Sequence, residues 1–346
     1  HLSIHWKKAK ALGRPFLEAA IVIGGPPCIG LVSVSKLPYE LSEYDVAGGI
    51  AGAPIPLVKC QTVDLEVPAA AEFVLEGIMP TDFVEEEGAF GEYTGYMGLR
   101  TSSPCFKINC ITRRKKPIYH AFISQFPPSE SSTLKRIAQE SYLYKFLKHD
   151  CNIPGILEVA LHEPSGTNAV LIIRLKKVNP NQPWQALNTA AGCPEVGKII
   201  IVVDEDIDPK DPDTVLWAMS YRMQPHLDTR VSPGKILGLD PSAFPPDSFS
   251  SGDFVVLPPR IDTSMLLIDA TRKWDYPPIA LPKKEYMEHA MDMWKELGLP
   301  KLNPKTPWYG YSLGQWTREN EEEADLALKG EHFTTGERQE TRRTKV

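Results

Sequence analysis

No CxxC pair and no zinc-type spacing occurs among the six cysteines, at 28, 60, 105, 110, 151 and 193, which excludes a zinc ribbon and a thioredoxin-like redox pair. Buried, reduced thiols are the reading this leaves, and they suit a cytoplasmic location. Basic charge is not in excess either. With 38 Lys and Arg against 44 Asp and Glu, the net charge is −6, so the footprint of a nucleic-acid binder is missing. No apolar run approaches the ~20 residues of a membrane-spanning helix, and the opening residues do not form a signal peptide. No internal repeat is present. Proline, by contrast, is plentiful: 32 residues, with the pairs Pro26–Pro27, Pro127–Pro128, Pro245–Pro246, Pro258–Pro259 and Pro277–Pro278. Such pairs favour rigid turns and shaped loops over a simple helical bundle. At 346 residues the chain is long enough for two domains with cores of their own. It opens on His1 rather than Met and is therefore expected to be part of a longer polypeptide.

The first third of the chain reads as β-rich. Residues 1–12 have helical character, closed by Gly13 and Pro15. AAIVIGG at 19–25 predicts a buried strand ending in a glycine turn, and LSEYDVAGGIAG at 41–52 a short helix. PLVKCQTVDLEVPA and AEFVLEGIMP predict two strands, and CFKINCITRR with PIYHAFIS a further pair, giving a barrel or sandwich-like sheet. After Pro127–Pro128 the pattern changes. SESSTLKRIAQESYLYKFLKHD has helical spacing, with Ser131 or Ser132 as N-cap. GILEVALH, AVLIIRLKKV and KIIIVVDEDID predict strands, while residues 183–192 and DPDTVLWAMSYRM predict helices. This alternation argues for an α/β domain over residues 130–230. Residues 232–263 are loop-rich, LLIDAT is a short strand, and KKEYMEHAMDMWKELGL at 283–299 is an amphipathic helix ending at Gly298 and Pro300. From residue 317 onward the polar, charged composition predicts an arm or a disordered tail.

Few stretches carry chemistry on their own. DEDID at 204–208 is oxygen-rich, but it lacks the glycine of an EF-hand loop, and a solvated turn between strand and helix is the favoured reading. GGPPCIG at 24–30 follows a strand as a phosphate cradle would. It has neither the GxGxxG nor the GxxxxGK[ST] arrangement, and its prolines remove backbone donors. His1 and His5, four apart, would share a helix face; such a pair can bind metal, but solvent-facing histidines are the commoner case. EEEGAFGEYTGY at 85–96 crowds Glu85, Glu86, Glu87 and Glu92 among glycines and tyrosines. Crowded carboxylates raise one another's pKa and can supply a general acid near neutral pH. Composition and periodicity leave a solvated acidic loop equally open.

EGAFGEYTGY, with LSEYDVAGGIAG and LVKCQTVDLEVPAAAEFVLEG before it, resembles the UbiD-type family of reversible decarboxylases. The likeness continues through VVDEDID, DTVLWAMSYRM and LLIDAT to the late helix. The resemblance implies prenylated FMN, supplied by a separate flavin prenyltransferase. It implies Glu92 as the acid/base beside the flavin and Glu87 as a member of the Glu–Arg–Glu network that orders it. Glu43 and His1 are implied as ligands of a divalent metal (Mn2+ or Mg2+) that anchors the cofactor phosphate. Ser33 and Ser35 fall where family members hold a monovalent cation such as K+, partly through backbone carbonyls. The family's catalytic arginine and an asparagine ligand lie before the equivalent of His1, and Met265 occupies the place of a phosphate-contacting lysine.

The fold expected on this basis is α+β. A split β-barrel flavin-binding domain over 1–125, incomplete at its N-terminus, precedes an α/β oligomerisation domain over 126–300. A C-terminal arm and charged tail cover 301–346, with the aromatic stretch TPWYGYSLGQW at 306–316 as a docking arm. A homo-oligomer, dimer or hexamer, is expected. The substrate class is an aromatic, heteroaromatic or α,β-unsaturated carboxylic acid. The competing expectation is a non-catalytic structural subunit of a multi-component carboxylase of the same shape.

Overall fold

The computed structural model describes residues 2–35, 37–38, 40–98, 101–193, 197–234, 239–243, 263–301 and 316–344. Helix α1 (Leu2–Ala11) is pinned by Trp6, whose indole Nε1 donates to the Pro80 carbonyl at 2.8 Å. Strand β1 (Phe16–Ile23) follows, then the helices α2 (Pro27–Ser33) and α3 (Glu43–Ala51), which pack through Cys28, Val32 and Ala47. PLVKCQTVDLEVPA forms two short strands rather than one, β2 (Leu57–Lys59) and β3 (Glu66–Pro68), paired antiparallel. The turn between them is held by buried Glu76, which accepts from Gln61 N, Thr62 N and Thr62 Oγ1. Burial raises that carboxyl's proton affinity, and these three bonds more than reverse the effect.

Glu76 lies on β4 (Phe73–Pro80), the centre of a three-stranded antiparallel sheet whose outer strands are β1 and β7 (Lys107–Arg113). Between them in sequence, β5 (Glu85–Glu87) and β6 (Thr101–Ser103) form a separate ribbon. PIYHAFIS, expected as a strand, is not one. Pro117 cannot donate to a ladder, and the Ile118 and Ile123 amides are taken by the carboxylates of Glu72 and Glu130.

Helix α4 (Glu130–Lys145) opens with Ser129 as N-cap, not Ser131 or Ser132. Ser132 is instead the third helical residue of a reciprocal capping box with Ser129. A π-helical turn, Phe146–Asp150, prolongs it. The second sheet has the order β11-β12-β10-β9-β8, built from β8 (Ile156–Leu161), β9 (Val170–Leu175), β10 (Ile199–Asp204), β11 (Thr229–Pro233) and β12 (Ser264–Ala270). Its centre, β9–β10–β12, is parallel, and both edges are antiparallel. One face packs on α4 and α5 (Gln182–Gly192), around Leu143, Leu171, Ile173, Leu187, Ile200 and Leu267. The other packs on α6 (Pro212–Arg222), around Ile201, Val203, Val215 and Ala218. The short helix α7 (Pro225–Asp228) leads from α6 into β11. Apolar runs such as IIIVV on β10 are what a strand covered on both faces requires.

Met265, the sequence position expected to hold a phosphate-contacting lysine, is buried in the first of these cores. Helix α8 (Lys284–Glu296) forms as expected. The charged segment after 317, by contrast, is helical: α9 (Arg318–Leu328) and α10 (Phe333–Glu340). Local chemistry accounts for this, through a Thr317–Asn320 capping box and an Arg318–Glu322 ion pair one turn apart. The aromatic stretch at 306–315 lies outside the described residues. Among the described residues no helix is long and apolar enough to cross a membrane. All six cysteines are free; Cys28 and Cys193 are buried, but Cys151 is exposed, against the expectation of uniformly buried thiols.

Candidate active site

The stretch holding Glu92 folds back on itself as a three-residue hairpin loop. Glu92 N donates to Tyr96 O at 3.0 Å, Gly95 N donates to Glu92 O at 3.0 Å, and Gly91 bridges to Met97. Gly95 has φ +92°, the positive-φ position that a turn closed by a bulge demands. Gly91 is required for a different reason: a Cβ there would stand 2.3 Å from the Ser124 carbonyl oxygen. These two glycines seat the hairpin against residues 124–127, directly ahead of α4. We expect Gly91→Ala to cost about 1–3 kcal/mol in a denaturant melt, since either the hairpin or the 124–127 segment must move. An unchanged melting curve would show that the contact is not tight.

Glu87 ends β5 and is exposed, its Oε2 accepting from Ser103 Oγ at 2.7 Å. Glu92 is half-buried, and its carboxyl is pushed above the usual carboxylate range, chiefly by burial. The Tyr93 backbone amide and the Lys135 ammonium pull it back, and the Glu87 charge pushes it further up. The structure thus brings Glu87 and Glu92 close enough for one charge to bear on the other. Phe90, Tyr96, Met97 and Phe126 stand exposed around the hairpin. A carboxyl with raised proton affinity beside apolar and aromatic surface is suited to exchanging a proton with a bound organic group.

The other expected residues lie on the α2–α3 unit. Glu43 is the first residue of α3, exposed, behind the Ser42 cap whose Oγ accepts from Tyr44 N at 3.2 Å. Ser33 and Ser35 turn their hydroxyls onto the Gly30 and Leu31 carbonyls of α2, at 2.8 and 2.9 Å. Their own carbonyls, at the C-terminal end of that helix, are the atoms with the polarity to face a cation. His5 is exposed on α1, and His1 lies outside the described residues. Among the described residues no three His, Cys, Asp or Glu side chains converge to hold a metal ion. The donors described here do not by themselves fit a divalent metal.

For a bound polar cofactor the hairpin offers a better fit. Thr94 Oγ1, in the same loop as Glu92, is buried and has no partner among the described residues. Buried hydroxyls are normally satisfied, so this one suits a group that arrives with a ligand.

Two features escaped the sequence reading. Lys135, on α4, lies with its Nζ 3.9 Å from the centroid of the buried Tyr93 ring and bears on Glu92. The fold joins residues far apart in sequence, and no motif signals it. The second is the fate of DEDID: Asp204 and Asp206 are buried, not solvated, and both are bonded by Arg222.

Comparison with known proteins gives the family. Residues 1–127 match the 3-octaprenyl-4-hydroxybenzoate carboxy-lyase Rift-related domain, and residues 132–270 match the C-terminal domain of the same carboxy-lyase family. A protein of Archaeoglobus fulgidus, described only as uncharacterised, is 32% identical over 277 residues, covering 79% of this chain and 54% of its own. An evolved dimeric form of the UbiD-class enzyme HmfF from Pelotomaculum thermopropionicum, solved with prFMN, superposes with a TM-score of 0.67. It is 30% identical, and the match covers 82% of this chain and 59% of that one. The closed form of vanillic acid decarboxylase from Sedimentibacter hydroxybenzoicus gives 0.69 at 27% identity, covering 85% and 61%. The chain therefore spans between half and two thirds of the length of these proteins. With both domains of one family matched in order along the sequence, this chain belongs to the UbiD family.

Proposed function

We propose that this chain carries the acid/base carboxylate of a prenylated-FMN-dependent enzyme for the reversible, non-oxidative decarboxylation of an aromatic, heteroaromatic or α,β-unsaturated acid. The observation that carries the proposal is Glu92, a half-buried carboxyl with raised proton affinity, beside a second carboxylate and an apolar rim. When bound, the prenylated flavin supplies an electron sink for the carbanion-like density left as carbon dioxide departs. Glu92 then delivers a proton to that carbon from its carboxyl oxygen, and solvent restores it. Glu87 orders Glu92, and its charge adds to the burial that raises Glu92's hold on its proton. Phe90, Tyr96, Met97 and Phe126 give a flat substrate or ring system apolar surface, and Thr94 Oγ1 offers a hydrogen bond.

The finer expectations rest on the family resemblance. These are a split-barrel organisation of 1–125, division into 1–125, 126–300 and 301–346, a homo-oligomer, a flavin prenyltransferase as supplier, and residence in the cytoplasm. Glu43 and His1 as Mn2+ or Mg2+ ligands, and Ser33 and Ser35 at a K+ site, rest on it too, and no step above depends on a metal.

The experiment is an exchange assay. Full-length protein from cells making the prenyltransferase is incubated with labelled bicarbonate and a panel of the three acid classes, vanillic acid among them. Label entering the carboxyl of at least one acid is the expected result. A folded, flavin-loaded protein that exchanges none would instead support the non-catalytic subunit.

A further inference from the structure

We propose that Lys135 is a positioning residue for Glu92, seating the Tyr93 side of the hairpin and providing the countercharge to the carboxylate that remains after proton delivery. The inference rests on the acid/base reading of Glu92. Its basis is the way α4 is built into the site. The Ser129–Ser132 capping box fixes the first turn of α4, and Ser131 Oγ donates to Ser124 Oγ at 3.0 Å, tying that turn to the segment on which Gly91 rests. From the sheet side, Glu163 accepts from Ser132 Oγ at 2.9 Å, Thr133 Oγ1 at 2.6 Å and Arg136 Nε at 3.1 Å. The helix is held from both sides, and residue 135 falls between these anchors. Its Nζ stands 3.9 Å from the ring centroid of Tyr93, the residue after Glu92, which is 8% exposed. An ammonium over a buried aromatic face is attracted to it and resists displacement.

Among the described residues, the charges that bear on Glu92 come from two elements, Glu87 on β5 and Lys135 on α4, and they oppose one another. When Glu92 gives up its proton, the electron pair of the broken O–H bond stays on the carboxylate and the substrate carbon pair takes the proton. One negative charge is left in a half-buried place next to a second carboxylate. Among the described residues, Lys135 is the cation that bears on Glu92 and so offsets that charge.

The test separates this role from catalysis. The full chain is labelled with glutamate carrying 13C at the side-chain carboxyl, and the Glu92 signal is identified by its loss in Glu92→Gln. Its titration is then followed in wild type, Lys135→Met and Lys135→Arg. The expected result is a midpoint displaced to higher pH in Lys135→Met and left in place in Lys135→Arg. If the Met variant fails to fold, Lys135→Gln removes the same charge and is read in the same way. An unmoved or lowered midpoint in a folded, charge-free variant overturns the proposal. In the loaded enzyme, the alkaline limb of the turnover–pH profile should follow the same displacement. Because the titration needs no turnover, a catalytically silent protein would sink the decarboxylase reading and leave Lys135 decided on its own.

Discussion

Glu92→Gln is expected to leave folding and flavin binding intact and to reduce turnover about a hundred- to ten-thousandfold, the usual worth of a positioned general acid. Glutamine keeps the size and the hydrogen-bonding oxygen, so the hairpin closed by Glu92 N to Tyr96 O at 3.0 Å is retained. What is lost is the transferable proton. In wild type, turnover in the decarboxylation direction should fall as pH rises through the raised Glu92 value, because only the protonated form donates. The linkage to stability has the same direction. Glu92 holds its proton more tightly when folded, so its contribution is fully present below the unfolded value and is lost as pH rises through the folded one. Glu92→Gln should therefore flatten the pH dependence of unfolding and make the fold relatively more stable on the alkaline side. Turnover within threefold of wild type would remove Glu92 from the reaction.

The second large effect concerns stability. Arg222 is 2% exposed; its Nη1 donates to Asp204 Oδ2 at 2.9 Å and to Asp206 Oδ1 at 2.7 Å, and its Nη2 to Asp206 Oδ2 at 2.7 Å. The fork ties the last turn of α6 to the carboxyl end of β10. Burial pushes the Asp206 carboxyl up, and the Arg222 hydrogen bonds and charge bring it below the usual range. Arg222→Met leaves two buried carboxylates short of their main countercharge and is expected to cost about 3–5 kcal/mol in denaturant unfolding. Adding Asp206→Asn should restore part of that loss, because the two changes remove opposite halves of one pair. A loss below 1 kcal/mol for Arg222→Met would mean that Lys177 and Arg272, which also approach Asp204 at 3.8 and 3.5 Å, suffice alone. The carboxyl ends of parallel strands are where open α/β sheets commonly bind ligands. Here that edge is filled by charges that neutralise one another, and it acts as a clamp.

These two sites show what a sequence displays and what it hides. The strands β8, β9 and β10, the helices α5 and α6 and the short α3 have local signals, such as apolar runs, caps and glycine stops, and they form where those signals lie. In the acidic hairpin the sequence leaves two alternatives open, because the packing of Gly91 against Ser124 and the burial of Glu92 arise only in the fold. DEDID looked solvated because its partner, Arg222, reaches it only through the packing of α6. PIYHAFIS looked like a strand because its residues suit one, yet carboxylates from elsewhere take its amides. The charged C-terminal segment looked unstructured because composition outweighed the capping box at Thr317. Lys135 carried no signal at all, since only the capped and anchored α4 brings it over Tyr93.

The most direct test of the central claim is to purify the full-length protein from cells that also make a flavin prenyltransferase, and to record its mass spectrum and absorption. A bound flavin heavier than FMN by one prenyl-derived unit is the predicted result. No flavin at all, in a folded sample supplied with manganese, would contradict the account and favour a structural subunit.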